Sequence, residues 1–155
     1  MLVLSVDPGG EKGVGASGWC YQDENKVYAM GDTQDLKGFL KKWDTSKLPV
    51  NHVVVEGYFI NPRQDKSKAH VGVPLTTIEN VGVVKLWAEM HDIEWTEYFN
   101  NLKPTQAKHS GVFPKKMRKD IEHKFDAFNH GWWYLYRQGL VLTALEKEMK
   151  AKGKL

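Results

Sequence analysis

Cysteine is nearly absent: Cys20 is the only one in 155 residues. An intramolecular disulfide and a cysteine-rich zinc site are therefore excluded. Long hydrophobic runs are missing too. The N-terminal stretch Met1-Leu2-Val3-Leu4-Ser5-Val6 is far too short for a membrane span or signal peptide, and no basic segment precedes it. Nor does one sign of charge dominate, since the formal net charge is +3 and the isoelectric point about 8.8. That balance permits a basic surface without requiring one. There is no internal repeat and no low-complexity segment. These absences point to a soluble chain in a reducing compartment, with the cytoplasm as the expected location and no membrane partner. What remains is an ordinary globular composition, 41% hydrophobic and 26% charged. The length suits one domain with a proper core, spanning 1–155, and not two.

Hydrophobic periodicity divides that domain into alternating elements. Val3 to Asp7 is a short apolar run stopped by Pro8-Gly9, which favours a buried strand over a helix. Gly9 to Gly18 holds five glycines and reads as a loop. Strands at Gly18–Tyr21 and Lys26–Met30 follow, joined by the polar turn Gln22-Asp23-Glu24-Asn25. Asp32 or Thr33 can cap a helix whose Leu36, Phe39, Leu40 and Trp43 recur at amphipathic spacing. His52–Glu56 is a valine-rich strand, and Gly57 to Val73 a polar loop. Ile78, Val81, Trp87 and Met90 predict a helix over Thr76–His91. Glu94–Phe99 predicts the last strand, and Pro104 to Lys108 a short helix. Lys119 to Lys150 reads as mostly helical, with a frayed tail from Met149 to Leu155. The order β-β-β-α-β-α-β-α implies an α/β fold, a mixed five-stranded sheet with helices on both faces and right-handed crossovers. In such sheets functional groups gather beyond the carboxyl ends of parallel strands.

Three acidic points stand where that fold could bring them together. Asp7 ends the first strand and opens the turn Asp7-Pro8-Gly9-Gly10, Glu56 ends His52-Val53-Val54-Val55, and His123 and Asp126 lie three apart near the C-terminus. Each has a plainer reading. Asp-Pro-Gly is a common turn recipe. Glu56 can simply mark the exit of its strand to solvent. His123 and Asp126 share a helix face, but Glu122, Lys124 and His130 could join them in one solvated stripe. Their joint occurrence is harder to explain as unrelated surface. Two strand-end carboxylates faced by a carboxylate and an imidazole suit hard divalent cations, and such a site suits phosphodiester cleavage. The segment from Asn101 to Lys124 adds seven basic residues against Asp120 and Glu122.

In order and spacing these residues resemble the RuvC-type Holliday junction resolvases of the RNase H-like superfamily. The stretches that carry the resemblance are Leu4-Ser5-Val6-Asp7-Pro8-Gly9 with Ser17-Gly18-Trp19, and Val54-Val55-Glu56-Gly57-Tyr58-Phe59. Pro104-Thr105-Gln106-Ala107-Lys108 looks like the family's Pro-Thr-x-x-Lys segment, and His123-x-x-Asp126-Ala127 like its closing helix. The likeness covers roughly positions 2 to 135. At position 123 the family more often has aspartate, with histidine as a variant. The chain departs from the pattern in a longer loop after Asp7. It departs again in a shortened stretch between Lys116 and His123, where the family usually has a helix. Small size and many tryptophans look more like a bacteriophage branch, which would place the chain in a bacterial host's cytoplasm.

The resemblance implies a metal-dependent, structure-selective endonuclease that resolves four-way DNA junctions by paired symmetric nicks. Asp7, Glu56, His123 and Asp126 would be both metal ligands and catalytic residues, holding two Mg²⁺ or Mn²⁺ ions. Asp7 would bridge the ions, His123 and Asp126 would hold the one that activates water, and Glu56 the other. DNA contacts are expected from Phe59, stacking on an unpaired base, and from Arg63, Lys66, Lys68, Lys108, Lys115, Lys116 and Arg118, with Lys103 and Lys119 beside them. Two-fold substrate symmetry implies a homodimer, with the apolar side of the Thr76–His91 helix as its natural interface. Trp132, Trp133, Tyr134 and Tyr136 are expected to pack against the sheet or across that interface. Two other functions compete: an RNase H-like nuclease acting on RNA or other branched DNA, and a non-catalytic junction-binding protein. An actin-like ATPase also begins with Asp-x-Gly, but needs a second lobe that this length excludes.

Overall fold

Val3–Asp7, three apolar residues with Ser5 and Asp7 between and after them, form the central strand β1, and none of the five reaches solvent. The computed structural model describes residues 1–9, 16–57, 75–99, 109–111 and 122–155. Among these, β1 is followed by β2 (Ser17–Gln22), β3 (Val27–Thr33), α1 (Leu36–Lys42), β4 (His52–Gly57) and α2 (Leu75–Met90). Then come β5 (Glu94–Phe99), α3 (Glu122–Arg137) and α4 (Ala144–Ala151). The strands make one sheet in the order β3-β2-β1-β4-β5. β1, β2 and β3 pair antiparallel, while β4 runs parallel to both β1 and β5. The mixed α/β sheet expected from the sequence is the one observed.

Alternation along the strands splits the sheet into two faces. Leu4, Val6, Tyr21, Val53 and Val55 point to one side and pack under Leu36, Leu40, Val81, Val84 and Trp87 of α1 and α2. Val3 and Val54 point to the other, where Tyr134 and Leu135 of α3 cover them. Cys20 on β2 joins Ala127, Phe128 and Trp132 on that same side. Burial raises the Cys20 thiol far above its ordinary value, so it is a small apolar group here and not a nucleophile. His52 completes the α3 face, its ring stacked on Tyr134 at 4.1 Å and its Nε2 lying 2.8 Å from Thr96 Oγ1.

Several boundaries differ from the sequence expectation. β3 continues through Thr33, so the cap of α1 is Asp35, whose Oδ1 accepts from Gly38 N at 2.9 Å. The Lys119–Lys150 segment, expected to be mostly helical, holds two helices among its described residues. α3 ends at Arg137, Gly139 takes φ +74°, and Thr143 starts α4 with a reciprocal cap to Glu146. That cap carries helix through Ala151, which shortens the frayed tail expected from Met149. On α2 the four apolar residues that marked the helix do not share a face. Val81 and Trp87 are buried, whereas Ile78 and Met90 look outward with Leu86. The Pro104–Lys108 helix lies outside the described residues.

Two glycines let α3 lie directly on the sheet. A Cβ at Gly18 of β2 would stand 2.0 Å from His123 C and 2.3 Å from Lys124 N. A Cβ at Gly131 of α3 would stand 2.3 Å from Gln22 Nε2 and 2.7 Å from Ser5 Oγ. Gln22 Nε2 donates to Phe128 O at 3.0 Å, which ties β2 to the helix between these two points.

Gly18→Ala should therefore push α3 away from β2, at a cost of at least ~1–3 kcal/mol, the usual range for overpacking. A shift in the urea midpoint measures it, and an unchanged midpoint would show that the helix can slide freely.

His52 gives a pH prediction. Burial holds its imidazole below the ordinary value, and nearby Glu94 offsets part of that. The folded pKa is depressed, so below about 6.5 the unfolded chain takes up a proton first. Stability should decline as pH falls from about 6.5 toward the lower folded value. His52→Gln should flatten that decline in urea titrations, and an equal slope in both proteins would rule His52 out as its source.

Candidate metal centre

Parallel pairing sets the two strand-end acids beside each other. Val6 of β1 is in register with Val55 of β4, so Asp7 and Glu56 are the next pair along. Neighbouring strands are ~4.8 Å apart. Both side chains fall on the α3 face by alternation, and both are fully buried. Glu56 therefore does not mark an exit of its strand to solvent. A buried carboxylate needs compensation from a hydrogen bond, a cation or an opposite charge.

α3 supplies partners to both acids. His123 Nδ1 lies 2.9 Å from Asp7 Oδ2. His130 Nε2 lies 3.5 Å from Glu56 Oε2, with neither side chain exposed. His123, Ala127, His130 and Tyr134 form the stripe of the helix that faces the sheet, and Asp126 stands one turn beyond His123, half-buried. The solvated stripe that could have held His130 is thus not where His130 lies. Its spacing from Ala127 and Tyr134 was the available signal. Gly9, two residues after Asp7, passes close under this group: a Cβ there would meet Ala16 O at 1.9 Å and His123 Nε2 at 3.4 Å.

The donor set fits a divalent cation in kind and, at one point, in distance. Two donors bound at right angles to an octahedral ion, each ~2.1 Å away, are ~3 Å apart. Asp7 Oδ2 and His123 Nδ1 already have that separation. Among the described residues, however, no three His, Cys, Asp or Glu side chains converge as a ready cluster. The remaining ligands would have to close on the Asp7–His123 pair.

Other features near the strand ends do not belong to this group. Glu97 is one residue short of Tyr98, which pairs with Glu56, and so points to the opposite face. There it is bound by Lys85 of α2 at 2.5 Å and fills the space over Gly57. A cavity of about 760 Å³ lined by His52, Glu89, Asp92, Glu94 and Tyr134 lies at the other end of β4 and β5. Its acidic rim does not suit phosphate. Of the seven basic residues between Asn101 and Lys124, Lys124 alone is described, half-buried beside His123 at the start of α3. Phe59, Arg63, Lys66, Lys68, Lys103, Lys108, Lys115, Lys116, Arg118 and Lys119 lie outside the described residues.

The chain matches no family model and no curated protein. Solved structures do match. RuvC of T. thermophilus in complex with a Holliday junction substrate aligns with TM-score 0.60 and 12% identity, over 92% of this chain and 99% of that one. A second T. thermophilus RuvC structure aligns with TM-score 0.54 and 11% identity, over 92% and 99%. The fold is that of RuvC. At such identity the likeness speaks for architecture, and the α/β RNase H-like arrangement of sheet and helices is the part it shows.

If the centre takes a cation, Mg²⁺ or Mn²⁺ should raise the melting temperature of the wild-type protein. A ligand at 100 times its Kd stabilises by about 2.7 kcal/mol. Asp7→Asn should remove the shift, since it deletes the charge at the middle of the set. A metal-induced shift that survives Asp7→Asn would place the ion elsewhere.

Proposed function

We propose that this chain is a metal-dependent, structure-selective endonuclease that resolves four-way DNA junctions by paired symmetric nicks. The observation that carries the reading is the pairing of Asp7 with His123 next to Glu56, at the carboxyl ends of β1 and β4 in a RuvC fold. The RuvC structure of that fold contains a Holliday junction substrate, which favours branched DNA as the ligand.

Asp7, Glu56, His123 and Asp126 would hold the metal. Two Mg²⁺ or Mn²⁺ ions would supply an activated water and stabilise the leaving oxygen of the phosphodiester. The chain's own work is placement. β1 and β4 fix two carboxylates at full burial, away from bulk water, where their charge acts strongly on a cation. α3 sets His123 against Asp7, and Asp126 follows one turn further along the same helix. His123 must give up its ring proton at Nδ1 to serve as a ligand, and Asp7 Oδ2, 2.9 Å away, is the acceptor that fixes the ring beforehand. An imidazole donor also makes Mn²⁺ as suitable as Mg²⁺, since Mn²⁺ tolerates nitrogen more readily.

The basic residues Arg63, Lys66, Lys68, Lys108, Lys115, Lys116 and Arg118 would bind backbone phosphates, and Phe59 would stack at the branch point. A homodimer matches the two-fold symmetry of a four-way junction. Ile78, Leu86 and Met90 give α2 an outward apolar surface for it, opposite the side that Val81, Val84 and Trp87 bury in the core. Among the described residues no helix is long and apolar enough to cross a membrane. A nuclease for RNA or other branched DNA would use the same centre, and a non-catalytic junction-binding protein would have little use for it.

A side-by-side assay on a four-way junction, a flap, a duplex and an RNA–DNA hybrid separates these readings. The junction should be cut by paired nicks, and cutting of the hybrid alone would sink the reading. Asp7→Asn, Glu56→Gln and Asp126→Asn should each lower cleavage by far more than the ~10–100-fold lost when only a supporting partner of a ligand is removed. Junction binding should survive in all three, because charge is lost at nearly constant shape.

A further inference from the structure

Glu56, a carboxylate of the proposed set, meets an imidazole from outside that set. It lies in β4 at full burial, flanked by Asp7 on β1 and by Tyr98 on β5. The His130 ring covers it from α3, with Nε2 at 3.5 Å from Glu56 Oε2. His130 is itself walled in. Tyr98 lies nearly parallel to its ring at 6.2 Å, and the close seat of Gly131 on Ser5 and Gln22 fixes the helix one residue further on. A buried histidine at a helix position flanked by Asn129 and Gly131 is costly to keep unless its polarity is used. We infer that His130 is a positioning residue: its Nε2 orients the Glu56 carboxylate toward the metal centre.

The physical reason is the freedom of the glutamate. Glu56 has one more rotatable bond than Asp7, and a carboxylate on a longer stem must be held if it is to meet an ion at fixed distance. At 3.5 Å the His130–Glu56 approach is a polar contact longer than an ordinary hydrogen bond, and loss of a supporting partner of a ligating carboxylate typically lowers metal affinity ~10–100-fold. His123 serves Asp7 in the same way before an ion arrives, but is also a candidate ligand. His130 is placed for the supporting task alone, because it stands two helical turns further along α3, ~10 Å in rise. It need not touch substrate or the reacting phosphate.

This role rests on the proposed metal set, and the test keeps the two apart. Glutamine carries its amide nitrogen about where imidazole Nε2 sits, and asparagine about where Nδ1 sits. Mn²⁺ binding to the DNA-free protein can be followed by the electron paramagnetic resonance signal of free Mn²⁺, with melting temperatures measured without metal alongside. His130→Gln should bind Mn²⁺ close to wild type, and His130→Asn should bind it 10–100-fold more weakly. Metal-free melting temperatures of the two should be alike, since both put one amide in the same cavity. Equal Mn²⁺ affinity in the two variants would overturn the positioning role while leaving the centre standing. No Mn²⁺ uptake by the wild type would overturn the centre, and this role with it.

Discussion

Everything at the strand ends depends on how closely α3 lies on the sheet. Helices usually ride on a layer of side chains, with axes held well away from the strands they cover. Here Gly18 removes that layer under His123, and Gly131 removes it over Ser5 and Gln22. The two contacts bracket Ala127 and His130, so the helix is held at both ends of its functional stretch. Without them His123 could not reach Asp7, and His130 could not reach Glu56. Packing fixes the distances and the chemistry follows from them.

Strand alternation then sorts the acids. Glu56 and Glu97 lie on adjacent strands within one register step, yet face opposite sides of the sheet. Glu97 meets a lysine from α2 and becomes half of an ordinary ion pair. Asp7 and Glu56 each lie instead beside an imidazole of α3. That difference matters for a cation. A lysine neutralises a carboxylate permanently and competes with a metal, whereas a neutral imidazole can share in binding one.

Much of this was legible in the sequence. The valine run before Glu56 and the Pro-Gly after Asp7 gave the strands and their ends, because short buried strands have few alternative readings. Parallel pairing of β1 with β4 followed from the crossover order, and with it the side-by-side acids. Helix details were less legible. The cap moved from Asp32 or Thr33 to Asp35 because β2 pairs with β3 all the way to Thr33, a tertiary preference that local spacing does not encode. The α2 residues Ile78 and Met90 fitted helical spacing but face outward, since spacing shows that a face exists and not which one the sheet takes. His130 was missed for a related reason. A histidine between asparagine and glycine reads as polar surface until Tyr134 and Ala127 show that its stripe is the buried one. The mid-helix Gly131 was the overlooked clue, for glycine inside a helix often marks a close approach.

The choice of histidine over a further carboxylate also settles how the protein holds together without metal. Four clustered carboxylates would repel one another in a buried place, and the fold would lean on the ion for stability. With His123 on Asp7 and His130 beside Glu56, each fully buried acid has a polar neighbour of its own. The sheet and α3 can then close without a cation, and in the proposed reading the other ligands would close on the Asp7–His123 pair. In that reading only the neutral His123 ring could bind, so protons would compete with a metal for it. The same pairing that stabilises the empty centre thus sets the condition under which it fills.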